Sequence, residues 1–181
     1  MTYPEMPSPD VYEGLRALQG YCYANAVSKG FHADGDALRA ALDHCGNLDS
    51  MTDAATYELL RTAERNMAGN RLMLIVGEVA EAHEELRKGL APDEEYVSYP
   101  APPASFTVDF SSGQEATEAW EQSFKKSGLT PKPEGVPSEI ADIVIRCLDF
   151  AAEHEIDLAT VIANKLVFNA QRAAMHGGKR F

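Results

Sequence analysis

An all-α fold is the class this sequence predicts, and three observations carry that expectation. Apolar residues recur at helical spacings of three and four along most of the chain. No stretch shows the strict apolar–polar alternation of a half-buried strand. The periodic segments are punctuated by cap residues in front and glycines behind. With 181 residues, 45 % of them hydrophobic, the chain fits one domain with a substantial core. Residues 1–181 are therefore read as a single helical domain, with a proline- and aromatic-rich insertion at about 91–137.

The elements follow in order. Residues 1–9 hold three prolines and read as a loose lead-in. Asp10 is placed to cap a helix over 11–29, which Gly30 ends; Val11, Leu15, Leu18, Cys22 and Val27 form its apolar stripe. A short helix over 36–45 is closed by Gly46, and Asn47, Asp49 and Ser50 make a turn. A long helical pattern covers 54–88, with a break offered by Gly69-Asn70 and a core stripe of Leu72, Ile75, Val76, Val79 and Leu86. The insertion holds seven of the ten prolines beside Tyr96, Tyr99, Phe106, Phe110, Trp120 and Phe124. So many aromatics demand burial or a ligand, so it reads as an ordered excursion with a helix over 114–127. Ser138 is placed to cap the next helix, whose stripe is Ile140, Ile143, Val144, Cys147 and Ala151. Asp157 caps the last, over 158–175, which buries Leu158, Val161, Ile162, Leu166 and Ala170.

Two of these helices carry paired acids beside their apolar stripes: Glu78 and Glu81 on the third, Glu139 and Asp142 on the fifth. Residues three apart share a helix face. One such pair is usually a solvated face, but a second at the same spacing beside another core stripe shifts the balance. Four acids brought together repel unless a cation sits among them, and a hard divalent ion with oxygen ligands fits. The last helix then presents Lys165, Asn169, Arg172 and His176 at i, i+4, i+7 and i+11. Carboxylates hold metal ions, the ions bridge phosphate oxygens, and lysine and arginine neutralise the remaining charge. Magnesium takes only one or two protein carboxylates, so four acids suggest two ions.

The segments GEVAEAHEEL, SEIAD and DLATVIANKLVFNAQRAAMHGGKRF resemble, in order, the three motifs of the MazG-like nucleoside triphosphate pyrophosphohydrolases of the all-α NTP pyrophosphatase superfamily. The resemblance covers about residues 70–90 and 134–181. It implies a helical bundle completed by a second subunit, as a homodimer or homotetramer. It implies Mg2+, with Mn2+ as a substitute, on Glu78, Glu81, Glu139 and Asp142. It implies Lys165, Asn169 and Arg172 on the phosphates and sugar, with His176 and Lys179 of the HGGKR tail beside them. The implied reaction converts a (deoxy)nucleoside triphosphate to the monophosphate and pyrophosphate by metal-activated water. The family joins its acidic helices by a short hairpin, so the long insertion bears on substrate choice.

Composition removes other classes. A formal net charge of −12 argues against gripping a nucleic-acid polymer, which needs a basic face to displace counterions. Three cysteines without ligand spacing read as small buried hydrophobes. No basic segment followed by an apolar run opens the chain, and no apolar run approaches the roughly 20 residues of a membrane span; the expectation is a cytoplasmic protein. A di-iron carboxylate site needs a Glu-x-x-His pair, and no histidine here has glutamate three residues before it. The rival from another class is a non-catalytic acidic helical interaction module. It accounts for helices and acidity but not for a cationic stripe following two acid pairs.

Overall fold

The computed structural model describes residues 8–46, 51–103, 105–106 and 113–171. Six helices and one two-stranded sheet make up the described residues: α1 (Pro9–Ser28), α2 (Ala33–Gly46), α3 (Met51–Arg87), β1 (Tyr96–Ser98), α4 (Gly113–Lys126), β2 (Lys132–Glu134), α5 (Val136–Glu153) and α6 (Leu158–Gln171). The all-α expectation holds in its coarse form. The turn expected at Asn47, Asp49 and Ser50 lies outside the described residues, as do Arg172, His176 and Lys179.

Two compact units emerge, one of Met1–Val76 with Ile143–Phe181 and one of Gly77–Asp142. In the first, α1 starts with Pro9 at its first position, where a missing N–H costs nothing, and Ser8 rather than Asp10 takes the N-cap position. Gly30, at φ 79°, ends it as expected. Asp157 caps α6: its carboxylate accepts from the Thr160 backbone N–H at 3.3 Å and from the Thr160 hydroxyl at 2.7 Å. Arg16 of α1 grips the same carboxylate at 2.8 and 3.2 Å, and Gln19 donates to the Ile156 carbonyl, which ties α1 to the start of α6. The Arg16 hydrogen bond, helped by Thr160, holds the Asp157 carboxyl far below the usual range.

The core of this unit is built from Cys22, Ala26, Leu42, Leu148, Ala151 and Ala159. Burial pushes the Cys22 and Cys147 thiols up, so both stay protonated and inert, as the bland reading of the cysteines requires. An ionic cluster shares the interior. The imidazole of His32 lies 1 % exposed, with Nε2 on Asp149 at 2.9 Å and Nδ1 on Glu153. Arg71 and Arg39 both hold Glu153, the latter at 2.6 Å, and Tyr23 packs on the imidazole at 4.9 Å. Three helices, α2, α3 and α5, are pinned by these charges.

The second unit shows what the insertion is. Its two ends pair as a short antiparallel ribbon, Tyr96 opposite Glu134, Val97 opposite Pro133 and Ser98 opposite Lys132. The sequence reading contains no strand here, because three-residue strands are too short to show alternation, and Pro133 reads as a breaker. Proline is tolerated in such a ribbon because an edge strand has a side free of ladder bonds. Between the strands, Trp120 and Phe124 of α4 meet Phe106 and Tyr99 edge-on, and the indole N–H donates to the Pro100 carbonyl at 2.7 Å. The helix expected over 114–127 is present as α4.

Gly135 joins β2 to α5 at φ 101°, and a Cβ there would lie 2.4 Å from the Glu94 carbonyl oxygen. Only glycine fits this joint. Consequently α5 starts at Val136, and Ser138 is not its cap: the hydroxyl sits inside the first turn and donates back to the Pro133 carbonyl at 3.1 Å. The break expected at Gly69-Asn70 does not occur; α3 runs through without interruption. A single interior glycine weakens a helix by only about 1 kcal/mol, too little to stop one of this length.

One expectation fails in an informative way. The stripe assigned to the core of α3 is largely exposed: Leu72 47 %, Val76 53 %, Val79 51 % and Leu86 42 %. Ile140 and Val144 of α5 are similarly exposed, as are Val161, Ile162 and Leu166 of α6. The buried positions at the end of α3 are instead Glu78, Ala82 and Glu85, at i, i+4 and i+7. The polar stripe points inward, and the apolar stripe beside it points out of the chain.

Candidate active site

The site is built from the ends of two helices within the second unit. On α3, Glu78 and Glu81 stand one turn apart, and on α5 Glu139 occupies the first turn. One carboxylate oxygen from each of Glu78, Glu81 and Glu139 lies within 4.8 Å of the others. Glu78 and Glu139 are buried, and Glu81 opens to solvent. Asp142, one turn further along α5, is half-buried and is not among the three that converge. Three of the four anticipated acids are thus brought together.

The electrostatics are those of a site short of positive charge. Burial, the Glu81 charge and a hydrogen bond shared with Glu78 all push the Glu139 carboxyl up. Glu78, Glu81 and Glu139 thus crowd like charges together, an arrangement that a bound cation would relieve. Glu85, the third acid of the α3 stripe, is accounted for differently. It accepts from Lys88 at 2.6 Å and from the Tyr96 hydroxyl at 3.2 Å, so it braces the ribbon against α3. Burial first, then the Glu85 bond, pushes the Tyr96 phenol up.

These donors fit a hard divalent cation. All are carboxylate oxygens, two of them from buried side chains, and Glu78, Glu81 and Glu139 are the residues that would hold the ion.

The remaining anticipated residues are placed unevenly. Lys165 and Asn169 are exposed on α6, in the first unit, and the Lys165 ammonium lies over the Phe168 ring at 5.3 Å. Asp149 serves the His32 cluster and is no part of the acid group. His32 is buried and bonded to Asp149 and Glu153. Trp120 packs among aromatics, while Tyr21 is exposed.

Sequence reasoning missed Lys132 and Glu134. Lys132 pairs with Glu134 at 2.9 Å, and Ser98 donates to the same carboxylate at 2.9 Å. The Lys132 hydrogen bond, with that of Ser98, holds Glu134 below its ordinary range. Lys132 is itself pushed up, chiefly by Glu134 and further by the charges of Glu139 and Glu81. The available signal was the spacing, since Lys132 stands seven residues before Glu139 at the end of the insertion. Comparison with known protein families, curated proteins and solved structures returned no match for this chain.

Proposed function

We propose that this protein is a magnesium-dependent nucleoside triphosphate pyrophosphohydrolase, cleaving a (d)NTP to the monophosphate and pyrophosphate. The observation that carries the reading is the convergence of Glu78, Glu81 and Glu139, two of them buried, with the Glu139 carboxyl pushed up by burial and by its acidic neighbours. The order of the motifs and the ExxE and ExxD spacing support the same activity. A divalent cation bound there supplies the Lewis acidity that polarises a phosphoryl oxygen and acidifies a water. Asp142, one turn along α5 from Glu139, is assigned to the same ion by the ExxD spacing. Lys165, Asn169, Arg172, His176 and Lys179 supply contacts to phosphate and sugar.

A second copy of the chain completes the bundle, as a homodimer or a homotetramer. What supports this is the exposed apolar positions of α3, α5 and α6, which a lone soluble chain does not leave uncovered without a cost. No helix among the described residues is long and apolar enough to cross a membrane, and the proposed setting is the cytoplasm. The test is release of pyrophosphate from a panel of dNTPs with Mg2+ or Mn2+, alongside Glu81→Gln and Asp142→Asn. Metal-dependent release that both substitutions abolish, with helical content unchanged, supports the assignment. No turnover of any nucleotide leaves the non-catalytic interaction module.

A further inference from the structure

We infer that Lys132, carried by the insertion, is a phosphate-positioning residue of the acid site, holding the triphosphate that the bound cations bridge. The inference rests on the metal-dependent reading above and adds a residue from the segment that separates the two acidic helices.

Geometry carries it. In a paired ribbon, successive side chains alternate between two faces, and directly opposed residues share one. Tyr96, Ser98, Lys132 and Glu134 therefore share a face, and Val97, Tyr99 and Pro133 take the other. The first face meets the acids: Tyr96 donates to Glu85, Ser98 and Lys132 hold Glu134, and the Lys132 charge acts on both Glu81 and Glu139. The second face meets the aromatic residues. There Val97, Tyr99, Phe106 and Trp120 line a cavity of about 460 Å³. The ribbon thus turns Lys132 toward the carboxylates, while the Trp120–Phe106–Tyr99 cluster lies on the opposite face, so the aromatic cavity is no base pocket for a substrate held at the acids.

Three features hold Lys132 in place. The ribbon register fixes its Cα, the glycine joint at Gly135 fixes the angle from strand to helix, and the Glu134 bond fixes the ammonium. The Lys132 side chain remains 63 % exposed, so it is open to an incoming phosphate. An ammonium facing metal-bound carboxylates has opposite effects on the two ligands. It repels cations and attracts the phosphate oxygens they bridge.

That opposition is the test. Mn2+ binding is measured by electron paramagnetic resonance without phosphate, and inorganic tripolyphosphate binding by calorimetry in excess Mg2+, for the wild type, Lys132→Ala and Lys132→Arg. Tripolyphosphate has no base, so only the phosphate contact is read. The expectation for Lys132→Ala is a roughly ten-fold loss of tripolyphosphate affinity, with Mn2+ bound as tightly as in the wild type or a few-fold tighter. Lys132→Arg keeps the charge and recovers most of the loss. Unchanged tripolyphosphate affinity in Lys132→Ala overturns the role of Lys132 alone. Parallel loss of both ligands also overturns it, since it marks a damaged ribbon. A wild type that binds no Mn2+ overturns the metal site, and this inference falls with it.

Discussion

Replacing Glu139 by glutamine should stabilise the metal-free protein and remove its response to magnesium. Glutamate oxygens within 4.8 Å of one another repel by about 3.5 kcal/mol per ionised pair at an effective dielectric of about 20. That is a ceiling, because Glu81 is solvated and the Lys132 charge offsets part of the repulsion. A net gain of about 1–2 kcal/mol remains, or about 2–8 °C in Tm for a chain of this size. The pH dependence has a definite sign. The folded Glu139 carboxyl is raised, so the folded state binds more protons than the unfolded chain, and stability falls as pH rises from the unfolded value through the folded one. The advantage of Glu139→Gln in EDTA should therefore be full at about pH 8 and shrink toward about pH 4. Magnesium at a hundred-fold excess over Kd should add about 2.7 kcal/mol to the wild type and far less to the variant. Thermal melts with EDTA and with MgCl2 at several pH values read all of this. A variant less stable than the wild type in EDTA, with a wild-type Tm indifferent to magnesium, would refute the reasoning.

Three further expectations concern single residues. Gly135→Ala forces a Cβ against the Glu94 carbonyl at positive φ, so it should cost about 2–3 kcal/mol, read as a lower urea midpoint at unchanged slope; an alanine variant of wild-type stability would show that the joint adjusts. Glu153→Ala takes the shared carboxylate from Arg39, Arg71 and His32, although Arg39 keeps Asp36 and His32 keeps Asp149; the half-buried Arg71 loses most, at an expected cost of about 1–3 kcal/mol in the same assay. Lys165→Ala should raise KM and lower kcat together in the pyrophosphate assay; unchanged kinetics would leave Lys165 a surface residue resting on Phe168.

Much of the fold was legible because helix signals are local. The Gly30 stop, the Asp157 cap and the helical spacing of α1, α2, α4 and α6 each sit within a few residues, and the observed helices start and end close to where those signals stand. The ribbon was not legible, since its strands are separated by α4 and neither is long enough to show a period. The Gly135 joint depends on a carbonyl forty-one positions upstream, at Glu94, which no window around Gly135 contains. The ionic cluster around His32 draws on α2, α3 and α5, and each member alone looks like an ordinary surface residue.

The reversal of the two stripes on α3 joins the fold to the site. Sequence periodicity identifies two neighbouring faces, one apolar and one acidic, and the hydrophobic effect alone assigns the apolar face to the interior. Within this chain the inward positions belong to Glu78, Ala82 and Glu85, at the expense of burying carboxylates. Burial of that kind persists only where partners offset the lost hydration. Glu85 has Lys88 and Tyr96, whereas Glu139 faces Glu78 and Glu81, with Lys132 at the edge of the group. A helix that turns its acids inward must turn its leucines and valines elsewhere, and the exposed stripe is the complement of the buried one. The metal that would relieve the acids and the second copy that would cover the stripe thus answer a single choice of helix orientation. If so, magnesium should favour assembly as well as stability, because both ligands act on the same rotational setting of α3.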